Sequence, residues 1–169
     1  MKKKTLILFC AIAALSVTAC SDTKTTTVDA VDTTETVQIP NPFTDCATLS
    51  EASAKTGFDF SVPDSIGDYQ KDLIQTMDNT MIQVFYTTAT QSEDEILLRK
   101  STETGDISGD YNDYPSVENT QIDSLDVTLK GDGTSYSLAL FEKDGYSYSI
   151  YSSQGLDLST MEQLVQTIQ

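Results

Sequence analysis

LDVTLKGDGTSYSLALFEKDGYSYSI, residues 125–150, decides the fold. Leu125, Val127 and Leu129 alternate with Asp126, Thr128 and Lys130; Tyr136, Leu138 and Leu140 alternate with Ser137, Ala139 and Phe141; Tyr146, Tyr148 and Ile150 alternate with Ser147 and Ser149. Successive side chains of a strand point to opposite faces, so alternation of this kind describes strands with one buried face. Gly131-Asp132-Gly133 and Asp144-Gly145 stand between the runs, where a hairpin needs positive φ. The stretch predicts three consecutive antiparallel strands. On that reading Tyr136, Tyr146 and Tyr148 share a face with Leu138, Leu140 and Ile150, with Tyr151 on the other face.

The pattern continues upstream. Residues 69–77, Met81–Thr88 and Glu95–Lys100 read as strands, with a turn at Asn79-Thr80, and another strand starts near Val117. Phe58 and Phe60 predict a short strand that stops near Pro63. Two segments break the period-two pattern. Thr48-Leu49-Ser50-Glu51 has the capping-box spacing and opens a helix running to Thr56, with Gly57 after it. Ser159-Thr160-Met161-Glu162 repeats the box, and Met161, Leu164, Val165 and Ile168 follow at helical spacing as one apolar stripe. The expected class is α+β: an antiparallel meander sheet of about six to seven strands, a short N-terminal helix, and a C-terminal amphipathic helix on one face.

The irregular segment 102–115, between the strand ending at Lys100 and the one near Val117, is long for a connection in a small domain, and long loops are often functional. Asp106, Asp110, Asn112 and Asp113 are hard-oxygen ligands that suit Ca²⁺, although their spacing departs from the EF-hand pattern. The plainer reading makes the acids caps for local amides in a solvated turn. Tyr111 and Tyr114 are ligand-binding candidates, or else pack back on the sheet.

The N-terminus reads as a targeting segment. Lys2-Lys3-Lys4 precedes an apolar run from Thr5 to Leu15, and Leu15-Ser16-Val17-Thr18-Ala19-Cys20 matches a bacterial lipoprotein signal in which Cys20 is acylated. The apolar run is too short to span a bilayer, which takes about 20 residues. Residues 1–19 are therefore expected to be the signal, 20–39 a Thr- and Asp-rich disordered tether, and 40–169 one folded domain. Cys10 leaves with the signal and Cys20 carries lipid, so Cys46 has no disulfide partner and the domain must rest on an apolar core.

Charge and composition exclude several activities. The whole chain carries −16; removal of the three signal lysines leaves 7 basic against 26 acidic side chains, or −19. Such a surface is a poor nucleic-acid binder, because phosphate contacts need clustered Lys and Arg. The chain has no histidine, so Ser-His-Asp and Cys-His catalysis are out of reach, and no phosphate-binding glycine motif occurs.

Asn41-Pro42-Phe43, Leu49-Ser50-Glu51-Ala52, Gly57-Phe58 and Val62-Pro63, with Ile96-Leu97-Leu98-Arg99-Lys100, Asp106 to Asn112, Val127 to Gly131 and Tyr146 to Ile150, resemble a domain of unknown function in uncharacterised lipoproteins of Gram-positive anaerobes. The resemblance covers about residues 40–169. Related domains occur on the outer side of anti-sigma-factor-like proteins. It implies fold and location and supplies no catalytic residues.

The expectation is a cell-membrane lipoprotein on the extracytoplasmic face, held by its lipid anchor. It is a non-enzymatic binding module for a protein partner at the cell surface, without cofactor and without nucleic acid. The alternatives are an accessory sensor that binds calcium or a small ligand through 102–115, and a hydrolase that uses paired carboxylates.

Overall fold

Turn chemistry sets the topology. Asp78, Asp123, Ser124 and Asp144 take positive φ between strands, at 46°, 49°, 70° and 53°. Asp and Asn tolerate this region better than other non-glycine residues, and the two-residue turns that need it match strand twist. The computed structural model describes residues 40–90 and 94–169, within the compact unit Ile39–Gln169. The expected signal, Cys20 and tether lie outside the described residues.

The elements are β1 (Phe43–Cys46), α1 (Leu49–Thr56), β2 (Ser65–Ile66), β3 (Tyr69–Met77), β4 (Met81–Thr87), β5 (Glu95–Ser101), β6 (Ser116–Ile122), β7 (Leu125–Gly131), β8 (Tyr136–Lys143), β9 (Tyr146–Leu156) and α2 (Leu158–Thr167). The class is α+β, with one antiparallel sheet in the order β1-β3-β4-β5-β9-β8-β7-β6 and β2 paired to β3. Two meanders, β3-β4-β5 and β6-β7-β8-β9, join through the β5–β9 pair. The sheet is larger than the alternation alone indicates. β1 and β2 are too short to show a period, at 4 and 2 residues.

Register divides the side chains between two faces. Ile74, Val84, Leu98, Ile150 and Ala139 align across β3, β4, β5, β9 and β8 and belong to one core cluster. Met161, Leu164, Val165 and Ile168 close that core from α2, and Ala52 joins it from α1. Phe141 and Tyr148 stack within it, centroids 4.9 Å apart. Cys46 is buried at its edge, free and 3.9 Å from the Thr76 hydroxyl, as a domain without disulfides requires.

Three local expectations change. A register shift between Tyr136 and Leu138 turns β8 over, so Leu138 aligns with Tyr151 and Leu140 with Ser149 on the far face. Tyr136 and Tyr148 stay in the core with Ala139 and Phe141. A bulge of this kind inverts every later side chain, and simple alternation cannot show it. Phe58 and Phe60 form no strand; both rings are buried, and Ser61 exchanges two backbone hydrogen bonds with Gln169 instead (2.8 and 3.1 Å). The cap of α2 is Asp157, whose Oδ1 accepts from the Thr160 amide at 3.0 Å, so the helix starts before Ser159. The α1 box forms as read: Thr48 Oγ1 accepts from the Glu51 amide at 3.1 Å. Glu51 reaches back to the Ala47 amide at 2.9 Å, and Gly57 ends the helix at φ 83°.

Candidate functional site

The strand order explains the long connection 102–115. β5 is mid-sheet and β6 is at the rim, with β9, β8 and β7 between them. Strands lie about 4.8 Å apart, so the chain must travel roughly 19 Å across one face. It takes the face away from the helices, over Arg99 of β5 and Lys130 of β7.

Arg99 pins the crossing. Its Nη1 donates to the Ile107 carbonyl at 3.0 Å and to the Ser108 carbonyl, while Nε donates to Gln83 Oε1 at 2.9 Å. From there a polar ladder crosses the sheet: Gln83 Nε2 donates to Gln75 Oε1 at 2.6 Å and Gln75 Nε2 to Asp45 Oδ1 at 2.7 Å. The guanidinium also lies 5.9 Å from the Phe43 ring centre. Burial lowers the Arg99 pKa, partly opposed by Glu95, yet an arginine so far from its pKa stays charged. Gly109, at φ 66°, allows the close approach; a Cβ there would stand 2.9 Å from Arg99 Nη1. Lys130 supplies the second tie, 3.1 Å from Asp106 Oδ2.

Alternate side chains in the crossing serve its own backbone. Asp106 Oδ1 accepts from the Ser108 amide at 3.0 Å and hydroxyl at 2.5 Å. Ser108 Oγ accepts from the Asp110 amide at 3.1 Å, and Asp110 Oδ1 accepts from the Asn112 amide at 3.1 Å and its side-chain amide at 2.6 Å. Asp110 Oδ2 accepts from the Tyr114 hydroxyl. These are three successive turns in which a side chain caps the amide two residues on. Partial burial pulls the Asp106 carboxyl upward, but the Ser108 bonds and Lys130 outweigh it and the net shift is down. Burial, then Asp110, raises the Tyr114 phenol.

The structure thus places the six residues singled out in 102–115 apart in role. Asp106 and Asp110 spend oxygens on the loop and Lys130, Asn112 caps onto Asp110, and Asp113 is exposed. Among the described residues no three His, Cys, Asp or Glu side chains converge to hold a metal ion. Tyr114 is half-buried, whereas Tyr111 is 97 % exposed. Arg99 and Lys130 are the positioning residues that alternation did not mark as special; a cation on the far face of a central strand is the signal that could have found Arg99.

Two larger grooves lie among the described residues. One of about 520 Å³ lies between α2 and the β2–β3 turn, with Ile66, Tyr69, Leu156 and Leu164 in its walls. Another of about 560 Å³ lies where Asp106 meets β7 and β8, with Asp126 and Glu142 at its rim. Among the described residues no helix is long and apolar enough to cross a membrane. No protein-family model, curated protein or solved structure matches the chain.

Proposed function

We propose that this chain is a lipid-anchored extracytoplasmic domain that acts as a non-enzymatic contact module, meeting a protein partner at the cell surface through the 102–115 crossing. The observation that carries the reading is Tyr111: an aromatic side chain 97 % exposed on a segment whose backbone is tied down on both sides. Ordering an interface loop costs free energy at the moment of binding, and a loop already held by Arg99, Lys130 and its own caps has met that cost in folding. Tyrosine adds large contact area with few rotatable bonds, which is why it recurs at binding hot spots. The Cys20 motif and the sequence resemblance to surface lipoproteins support the proposed location.

The sequence supports the non-enzymatic half: the chain has no histidine to activate a serine or cysteine nucleophile and no phosphate-binding glycine motif.

Fatty-acid labelling of whole cells tests the anchor. The natural chain takes up the probe and Cys20→Ala does not; label on Cys20→Ala protein would overturn the tether. A membrane-impermeant tyrosine reagent tests the contact. Tyr111 is expected to react several-fold more slowly on cells than in the purified chain, and equal rates would count against engagement there.

A further inference from the structure

We propose that β6 is a second docking surface, a free sheet edge that takes an extended, lysine- or arginine-bearing segment of a partner protein as a tenth strand. This goes beyond the reading above, since it needs neither the anchor nor Tyr111.

β6 ends the sheet and, among the described strands, pairs with β7 alone. Its seven residue pairs run without a register shift, and Val117 to Gln121 are all exposed. The turn after it has two residues, Asp123 and Ser124, both at positive φ. A two-residue turn of this type is closed by a hydrogen-bonded pair, here Ile122 with Leu125, and bonded pairs then alternate along the ladder. The amides and carbonyls of Val117, Asn119 and Gln121 consequently point away from β7. They offer three donors and three acceptors to a further strand.

Natural edges are guarded by lysine, proline, bulges or shortness. β1, at the other rim, is four residues long and follows Pro40 and Pro42. β6 has seven residues, no internal proline, no cation and no bulge; Pro115 stands before it, outside the strand, and Glu118 is its one charged side chain. Its side chains are also drawn inward. Asn119 Oδ1 accepts from Thr128 at 2.8 Å, Gln121 donates to Asp126 at 3.0 Å, and Glu118 accepts from Ser116 at 2.9 Å and Tyr136 at 3.3 Å. The backbone rim is left clear.

Charge selects the occupant. Glu118 on the strand, Asp123 in the turn and Asp126 on β7 surround the edge, while Lys130, the nearby cation, is engaged by Asp106. A second copy would bring the same acids to a chain already at −16. A basic strand instead sets lysine or arginine beside Glu118. Because its side chains alternate, it sets its other face beside Val117, which is 58 % exposed and favours a β-branched neighbour. Strand addition of this kind draws affinity from the backbone and selectivity from alternate side chains.

The test is amide exchange and chemical-shift titration of the full ¹⁵N-labelled chain with a seven-residue peptide alternating lysine and valine. A peptide alternating glutamate and valine is the control. The expected result is saturable binding of the lysine peptide alone, with exchange slowed at least tenfold at Val117, Asn119 and Gln121 and unchanged at Glu118 and Thr120. Asn119→Pro removes one outward donor and no backbone bond to β7, but it also loses the Thr128 hydroxyl bond, so Asn119→Ala, which loses that side-chain bond alone, is its control. The proline variant abolishes the protection at Val117 and Gln121 and the alanine variant keeps it; unchanged β8–β9 amide shifts show that both have folded. Glu118→Lys, whose backbone is untouched, weakens the lysine peptide at least fivefold. Four results would overturn the proposal: no protection at the three amides, equal binding of the glutamate peptide, protection that grows with protein concentration without peptide, or protection already complete in the free chain.

Discussion

Lys100 is a buried cation among aromatic rings. It is 7 % exposed on the helix-facing side of β5. Its Nζ donates to the Asp59 carbonyl at 2.7 Å, 4.4 Å from the Tyr146 ring centre and within 5.7 Å of those of Tyr148 and Phe58. The rings favour a cation, but burial dominates and lowers the lysine pKa, with Asp59 and Asp144 opposing. Burial also pushes the Tyr148 phenol up to about 12. A folded-state lysine pKa below the unfolded value means that the charged form costs stability at neutral pH, and that this cost fades as pH rises between the two values. Lys100→Met should therefore leave stability at pH 7 unchanged or raise it by about 1 kcal/mol. It should also remove the part of the alkaline rise that the lysine contributes. Urea melts from pH 7 upward check both. A loss of more than about 2 kcal/mol at pH 7 would show that the ring contacts and the Asp59 bond outweigh desolvation.

At the scale of elements, the crossing 102–115 is a strap held at two points, and each point has its own signature. Arg99→Leu leaves the carbonyls of Ile107 and Ser108 without their donor. Exchange at the Ser108, Asp110 and Asn112 amides should rise at least tenfold while β4 and β9 amides stay protected. Asp106 supplies a pH dependence. Its folded-state pKa is depressed, so its contribution is present above the unfolded carboxyl value and is lost as pH falls through the folded one. Acidification through that window should loosen Ser108 first, read by the same amide exchange, and Asp106→Asn should remove the effect.

This segment also shows what could be read from the amino-acid chain. Strands β3, β4, β5, β7, β8 and β9 announced themselves because polar and apolar residues alternate along much of each, although β4, β5 and β9 are buried on both faces. The length of 102–115 was visible, but its cause was not: β5 and β6 are far apart in the sheet, and strand order is a long-range property. Asp106, Ser108 and Asp110 at alternate positions carry the oxygen atoms of a metal loop and equally those of repeated amide caps. Only the direction of each carboxylate shows the caps that are present. The β8 bulge was hidden for a similar reason, since Leu138 to Phe141 is apolar on both faces and shows no face preference after the slip.

For the whole molecule, the two faces of the sheet divide the labour. The helix side carries the core and with it the stability of a domain that has no disulfide. The other side carries the Asp45–Gln75–Gln83–Arg99 ladder, the strap and Tyr111, and β6 leaves one rim unpaired. The central claim is that the strap presents Tyr111 to a surface partner because Arg99 holds it in place. A photo-crosslinking residue at position 111, with position 54 on α1 as the control, measures this directly on intact cells. The account predicts a discrete protein adduct from position 111, none from position 54, and a several-fold loss of the 111 adduct when Arg99→Leu is added. No adduct from position 111, or equal adducts from both positions, would contradict it.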